Sequence, residues 1–191
     1  MLSDVEAVLL TGGASKRMGT PKSDIMVDGT SIGNRTALEL ASVCQKVTVL
    51  GLQPLEGYGF QLDSEEYGGP RRALDQFKPT HSYVFVASCD MPHFQAKIVL
   101  LLRDEIGNHD ACIPFLEGFR QPLCGLYKQQ VIGRQIQGES SMMSLLKRVD
   151  VQEVDEGKLL SFGLNPRQFL SFNTPVELEA RIKAQNNLPP L

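Results

Sequence analysis

Residues 8–22 read Val8-Leu9-Leu10-Thr11-Gly12-Gly13-Ala14-Ser15-Lys16-Arg17-Met18-Gly19-Thr20-Pro21-Lys22. An apolar run over residues 5–10 stops just before a Gly-Gly pair, and two basic side chains, a third glycine, a proline and another lysine follow. Glycines let a loop turn its backbone N–H groups inward, and a concave cluster of such groups binds anions. Lys16, Arg17 and Lys22 add full positive charge to the same loop, so its simplest ligand is a polyphosphate. Spacing excludes two familiar phosphate loops. The motif G-x-x-x-x-G-K-[ST] needs lysine directly after its second glycine, whereas Thr20 and Pro21 separate Gly19 from Lys22. The dinucleotide fingerprint G-x-G-x-x-G needs a residue between its first glycines, and Gly12 and Gly13 are adjacent. A glycine-rich strand-to-helix turn without a ligand is the other reading of the same local pattern.

The rest of the chain alternates strand and helix signals. Residues 5–10, 46–50 and 82–88 read as buried strands, with a short strand near 60–62, two more at 110–115 and 122–127 around a Glu117-Gly118 turn, and a last one at 151–154. Helices are predicted over 36–43, from Pro70 to about 77, over 94–105, over 140–149 and over 174–186. Thr174 with Glu177 three residues later forms a capping-box pattern at the start of the last helix. Several strands are apolar throughout, which implies an α/β fold with a mostly parallel sheet covered by helices on both faces. With 191 residues and no long linker or internal repeat, one domain over 1–191 is expected.

Composition narrows the function. A net charge of −3 argues against nonspecific nucleic-acid or anionic-membrane binding, so an anionic ligand must be held by a local basic cluster. Asp4 and Glu6 interrupt the N-terminus, and no targeting or membrane segment is read there. Cys44, Cys89, Cys112 and Cys124 lie far apart without a C-x-x-C pair, which points away from zinc or disulfides and towards a reducing, cytoplasmic setting. Cys89 is read as a small buried hydrophobe, and Met142-Met143 as core.

In open α/β sheets, ligands bind beyond the carboxyl ends of the strands. The Gly-rich loop leaves one such end, and Asp90 leaves another at the close of the 82–88 strand. If the two strands are parallel neighbours, Lys22 and Asp90 face one crevice. A carboxylate beside a phosphate loop is a way to hold Mg2+, which usually takes one or two carboxylates plus substrate phosphates. Asp90 is the metal candidate, with a strand-end cap as its plain structural role. Asp63 is a second acidic candidate for a ribose, a base or ligand-bound water, or simply a solvated loop residue. Arg71 and Arg72 reach an anion from a helix N-terminus or form a wet surface pair. His81, His93 and His109 show no ligand spacing, and residues 188–191 read as a loose tail.

Residues 10–22 resemble the L-x-G-G-x-S-x-R-M-G-x-x-K signature of the molybdenum cofactor guanylyltransferases. Asp63 ahead of Gly69-Pro70, Cys89-Asp90-Met91-Pro92, Arg120-Gln121-Pro122-Leu123 and Phe172-Asn173-Thr174-Pro175 follow in the family's order. The resemblance implies a three-layer, Rossmann-like fold of the glycosyltransferase-A type. It implies GMP transfer from GTP to the terminal phosphate of molybdopterin carrying molybdenum, with pyrophosphate released and Mg2+ as cofactor. By the same resemblance Leu10, Thr11, Gly12 and Gly13 contact the nucleotide, the first three through the backbone. Lys22 binds its phosphates, Asp63 contacts the nucleotide, and Asp90 holds metal and nucleotide together. Lys22, Asp90 and Arg17 are the implied catalytic residues, and the segment from Arg120 to Leu123 faces the pterin. The implied partners are GTP, molybdopterin and transient cofactor-delivering and client proteins, with the chain itself a monomer.

Three positions depart from the family pattern. Arg71-Arg72-Ala73-Leu74 replaces L-x-G after Pro70, Leu50-Gly51-Leu52 lacks the polar residue common after the second strand, and Ser171 stands where an asparagine is expected. These departures bear on base choice and acceptor contacts. They leave CMP transfer, a different phosphorylated acceptor such as a sugar phosphate, or nucleotide binding without turnover as alternatives.

Overall fold

The computed structural model describes residues 1–12, 18–63, 68–132 and 141–186, with side chains to 183. Strand β1 (Leu2–Leu10) leads to a 3₁₀ turn (Lys22–Asp24), the short strands β2 (Met26–Val27) and β3 (Thr30–Ser31), and helix α1 (Ile32–Val43). Next come β4 (Cys44–Gly51), β5 (Gly59–Leu62), α2 (Pro70–Asp75), β6 (Tyr83–Ser88) and α3 (Lys97–Glu105). The second half holds β7 (Ala111–Leu116), β8 (Phe119–Arg120), β9 (Cys124–Lys128), α4 (Gln129–Ile132), α5 (Met142–Leu146) and β10 (Val151–Val154). Helix α6 (Glu156–Ser161), a second 3₁₀ turn (Pro166–Phe169) and α7 (Pro175–Asn186) close the chain.

The main sheet runs in the order β10-β7-β9-β6-β1-β4-β5, with β8 paired to β7. Strand β1 is central and pairs in parallel with β4 and β6. Its side chains alternate between two cores, as the two-residue period of a strand requires. Val5, Ala7 and Leu9 pack with Ala37 and Leu40 of α1 and with Ile98 and Leu102 of α3. Val8 and Leu10 pack with Leu74 of α2, Ile132 of α4 and Leu145 of α5. Helices therefore cover both faces of a mostly parallel sheet in three layers, as the apolar strands imply. Among the described residues no helix is long and apolar enough to cross a membrane.

The element boundaries differ from expectation for local reasons. Helix α1 begins four residues early because the Ser31 hydroxyl accepts the Asn34 N–H and caps it. The helix read over 140–149 is confined to Met142–Leu146, where Ser141 and Ser144 form a capping box. Met142 is buried, but Met143 is exposed. The turn at Glu117-Gly118, with φ of 51° and 82°, joins β7 to the two-residue β8 and not to a long partner. Strand β9, the second strand read around that turn, pairs antiparallel with β7 as a hairpin reading expects, and its other edge pairs antiparallel with β6. The expected cap of α7 forms in a shifted version. Thr174 accepts the Glu177 N–H, while the Glu177 carboxylate takes the N–H of Asn173.

A charged group is buried in the central strand. Glu6 of β1 is fully buried, and its carboxylate accepts the N–H groups of Thr80 and His81 and the Thr80 hydroxyl, with Lys46 at 3.8 Å. These bonds pin the turn that feeds β6 and so hold β6 in register with β1, Leu10 opposite Ser88. All four cysteines are buried and free, and burial pushes the thiols of Cys44 and Cys112 up to about 12 and those of Cys89 and Cys124 higher still.

Two outcomes follow. Glu6→Ala leaves buried N–H donors without an acceptor and is expected to lower stability by about 3 kcal/mol in urea unfolding. Above pH 9 the unfolded chain loses thiol protons that the folded chain keeps, so stability present below pH 9 is expected to fall as pH rises towards 12. A thiol reagent at pH 8 should label none of the cysteines until the protein unfolds, and rapid labelling of the folded protein would contradict their burial.

Candidate functional site

Beyond the carboxyl ends of β1 and β6 the sheet brings together residues far apart in sequence. Lys22 opens the 3₁₀ turn after Pro21, whose extended backbone (φ −53°, ψ 133°) aims the lysine back across the sheet edge. Its ammonium donates to the Phe172 carbonyl at 2.5 Å and the Asn173 side-chain oxygen at 3.0 Å, and lies 3.5 Å from Asp90 Oδ2. The Phe172 ring lies 5.2 Å from the same nitrogen. Three acceptors match the three N–H bonds of an ammonium. Asp90 is tied in turn: its carbonyl accepts the Phe172 N–H at 3.0 Å, and its Oδ1 accepts the Ser88 hydroxyl at 2.5 Å. As expected, β1 and β6 are parallel neighbours, and Lys22 and Asp90 meet at their carboxyl edge.

The nucleotide-side candidates have different settings. Leu10 has a buried side chain, and its carbonyl accepts the Cys89 N–H at 3.3 Å, while the Thr11 N–H donates to Leu50 at 3.0 Å. Gly12 is exposed, and a methyl group there would stand 3.4 Å from Asp63 Oδ2, so the glycine brings this backbone close to the Asp63 carboxylate. Asp63 is set beyond β5 by its N–H bond to the Gly51 carbonyl at 2.9 Å. Gly51 itself has a steric reason. A side chain there would meet Thr11 Oγ1 at 2.1 Å, which accounts for a glycine in Leu50-Gly51-Leu52. Gly13, Lys16 and Arg17 lie outside the described residues.

On the other side of Asp90 lies a cavity of about 170 Å³, lined among others by Ser88, Asp90, Gln121, Pro122, Leu123 and Ser171. Arg120 is turned away to Glu153, 2.6 Å from it. Arg71 is buried and paired with Asp75 one turn on, whereas Arg72 is exposed, so the two do not form a wet surface pair. Burial first, and the Asp90 charge second, raise the Cys89 thiol, in keeping with a small buried hydrophobe. His81 lies near Glu6 and His109 near Asp150, away from the crevice. Burial lowers His93, with Arg35 adding to the effect. Among the described residues no three His, Cys, Asp or Glu side chains form a metal cluster. A single carboxylate facing a lysine ammonium at the sheet edge suits a Mg2+ that takes most of its oxygens from other ligands. Ser88, Phe172 and Asn173 complete the site. Asn173 has a sequence signal in Phe172-Asn173-Thr174-Pro175, but Ser88 has none.

Residues 7–154 match the family described as MobA-like NTP transferase domain. The chain is 27% identical to the molybdenum cofactor guanylyltransferase of Desulfosudis oleivorans, covering 94% of this chain and 96% of that one. It is 29% identical to the probable molybdenum cofactor guanylyltransferase of Bacillus subtilis, over 95% and 96% of the two chains. Among solved structures it superposes on the molybdopterin-guanine dinucleotide biosynthesis protein A of Archaeoglobus fulgidus with a TM-score of 0.76. That alignment covers 96% of this chain and 100% of the other at 20% identity, a likeness of fold.

The contact at Gly51 provides a test of the loop geometry. Gly51→Ala is expected to lower stability by about 2 kcal/mol by overpacking against Thr11. Combining it with Thr11→Ala should recover part of that loss. Strict additivity of the two changes in thermal unfolding would place Thr11 elsewhere.

Proposed function

The chain belongs to the MobA-like NTP transferase domain family, and we propose that it is a molybdenum cofactor guanylyltransferase. In the proposed reaction, an oxygen of the terminal phosphate of molybdopterin attacks the α-phosphorus of GTP. The new phosphorus–oxygen bond forms as the bond from the α-phosphorus to the bridging oxygen breaks, and pyrophosphate leaves. The attacking oxygen is already anionic, so no protein base has to remove a proton. Catalysis then consists of positioning and of stabilising charge that moves onto the leaving pyrophosphate.

The observation that carries this reading is the approach of Lys22 to Asp90, 3.5 Å apart at the carboxyl edge of two parallel neighbours. Lys22, freed from Phe172 and Asn173, binds the triphosphate, joined by Arg17 and by the loop around Gly12 and Gly13. Asp63 contacts the nucleoside. The Asp90 carboxylate holds Mg2+, which when bound supplies neutralising charge at phosphate oxygens. The cavity beside Asp90 takes the phosphate end of the acceptor, with Gln121 and Ser171 offering polar groups.

Pyrophosphate release with each nucleoside triphosphate in turn, given molybdopterin or a sugar phosphate, tests the proposal. Release is expected with GTP and molybdopterin together. A preference for CTP would sink the guanine assignment, and nucleotide binding without release would leave a non-catalytic relative. Asp90→Asn is expected to abolish magnesium-dependent release, and Lys22→Ala to slow it by on the order of 10²–10³-fold.

A further inference from the structure

The two carboxylate oxygens of Asp90 have different partners. Oδ2 faces the Lys22 ammonium, and Oδ1 accepts the hydroxyl of Ser88. Ser88 is the last residue of β6, two positions before Asp90, and is itself buried. Its backbone is fixed from both sides: it stands opposite Leu10 of β1, and its N–H donates to the Leu123 carbonyl at 3.1 Å. Cys89 between them packs into the core shared with α1 and α3, so Ser88 and Asp90 turn the other way together and line the same cavity. The hydroxyl therefore sits on a rigid mount and fixes the rotation of the carboxylate.

We infer that Ser88 is a positioning residue that occupies Oδ1 of Asp90 and presents Oδ2 alone to the cation position that Lys22 faces. The inference rests on the reading of Asp90 as the magnesium holder. Magnesium demands near-octahedral geometry with short bonds, which a freely rotating carboxylate meets poorly. Hydrogen-bond partners that orient a metal-ligating carboxylate typically account for 10–100-fold in metal affinity. Ser88 has the burial, the fixed backbone and the contact for that role, and it needs no contact with nucleotide or acceptor.

The test measures binding and needs no turnover. Calorimetry with an α,β-methylene analogue of GTP, which cannot be cleaved at the reacting bond, gives the nucleotide affinity with magnesium and with a chelator. The ratio of the two reports the metal contribution. In Ser88→Ala this ratio is expected to fall about tenfold, with the metal-free affinity unchanged. Ser88→Thr, which keeps the hydroxyl, should restore it. Ser88→Cys, of similar size but a weak donor, should behave like Ser88→Ala and serves if the alanine variant does not fold. A purely structural role would shift both affinities together and overturn the inference. So would a wild-type ratio in both Ser88→Ala and Ser88→Cys while Asp90→Asn loses it. If Asp90→Asn itself keeps the ratio, the metal reading of Asp90 fails, and the role of Ser88 falls with it.

Discussion

The parallel pairing of β1 with β6 is the constraint on which the site depends. The register sets Leu10 opposite Ser88, so the chain leaves both strands at the same level of the sheet. On one side it runs into the Gly-rich segment that returns at Lys22, and on the other directly into Asp90. A one-residue slip would exchange the two faces of β6, sending Ser88 into the core and Cys89 towards the cavity. Buried Glu6 opposes such a slip at the far end of the strand by binding both N–H groups of the incoming turn at Thr80 and His81. A carboxylate taken out of water is tolerable there because its oxygens are hydrogen-bonded. Fold energetics and site geometry thus meet in one strand pair.

A third segment closes the crevice. Phe172 and Asn173, 150 and 151 residues beyond Lys22, supply two of its three acceptors, and the Phe172 N–H binds the Asp90 carbonyl. Phe172 is also buried among Val27 and Ile32, with Leu178 and Ile182 of α7 packed against them. The small core beneath α7 therefore holds the lysine from below while the sheet holds the aspartate. Opposite charges placed so near each other, each about one-fifth exposed, are screened less than a surface pair.

Much of this was legible in the sequence, for definable reasons. Two strands that end in apolar runs, each leading straight into a loop with chemistry, suffice to infer that Lys22 and Asp90 converge, because open α/β sheets bind ligands beyond the carboxyl ends of their strands. The turn at Glu117-Gly118 made the antiparallel pair of β7 and β9 legible, but not the insertion of β9 beside β6: Cys124, Leu126 and Tyr127 are buried as fully as the residues of β6, and continuous apolarity names no neighbour. Short elements such as β8, of two residues, fall below any periodic signal. The Ser88 contact was hidden because a serine at a strand end is common and its partner depends on side-chain rotation. The acceptors of Lys22 were hidden by their distance along the chain.

The departures from the family pattern gain a physical meaning in this frame. Arg71 reads from sequence as a surface cation, yet it is buried in α2 and pairs with Asp75 one turn later. Its long apolar stem fills space as a leucine would, and Asp75 answers the charge, so the change from leucine is a matter of packing. Within Leu50-Gly51-Leu52, the stretch that lacks the expected polar residue, Gly51 is the position that lets Thr11 approach β4. A polar side chain there would collide with the strand exit that the loop needs. The carboxylate that the fold places beside Gly12 is Asp63, held by the Gly51 carbonyl. Ser171 is the one of the three that lines the cavity beside Asp90, and it shortens a side chain there. None of the three departures supplies a hydrogen-bond partner of Lys22 or Asp90, so they act through packing at Arg71 and Gly51 and through the cavity lining at Ser171.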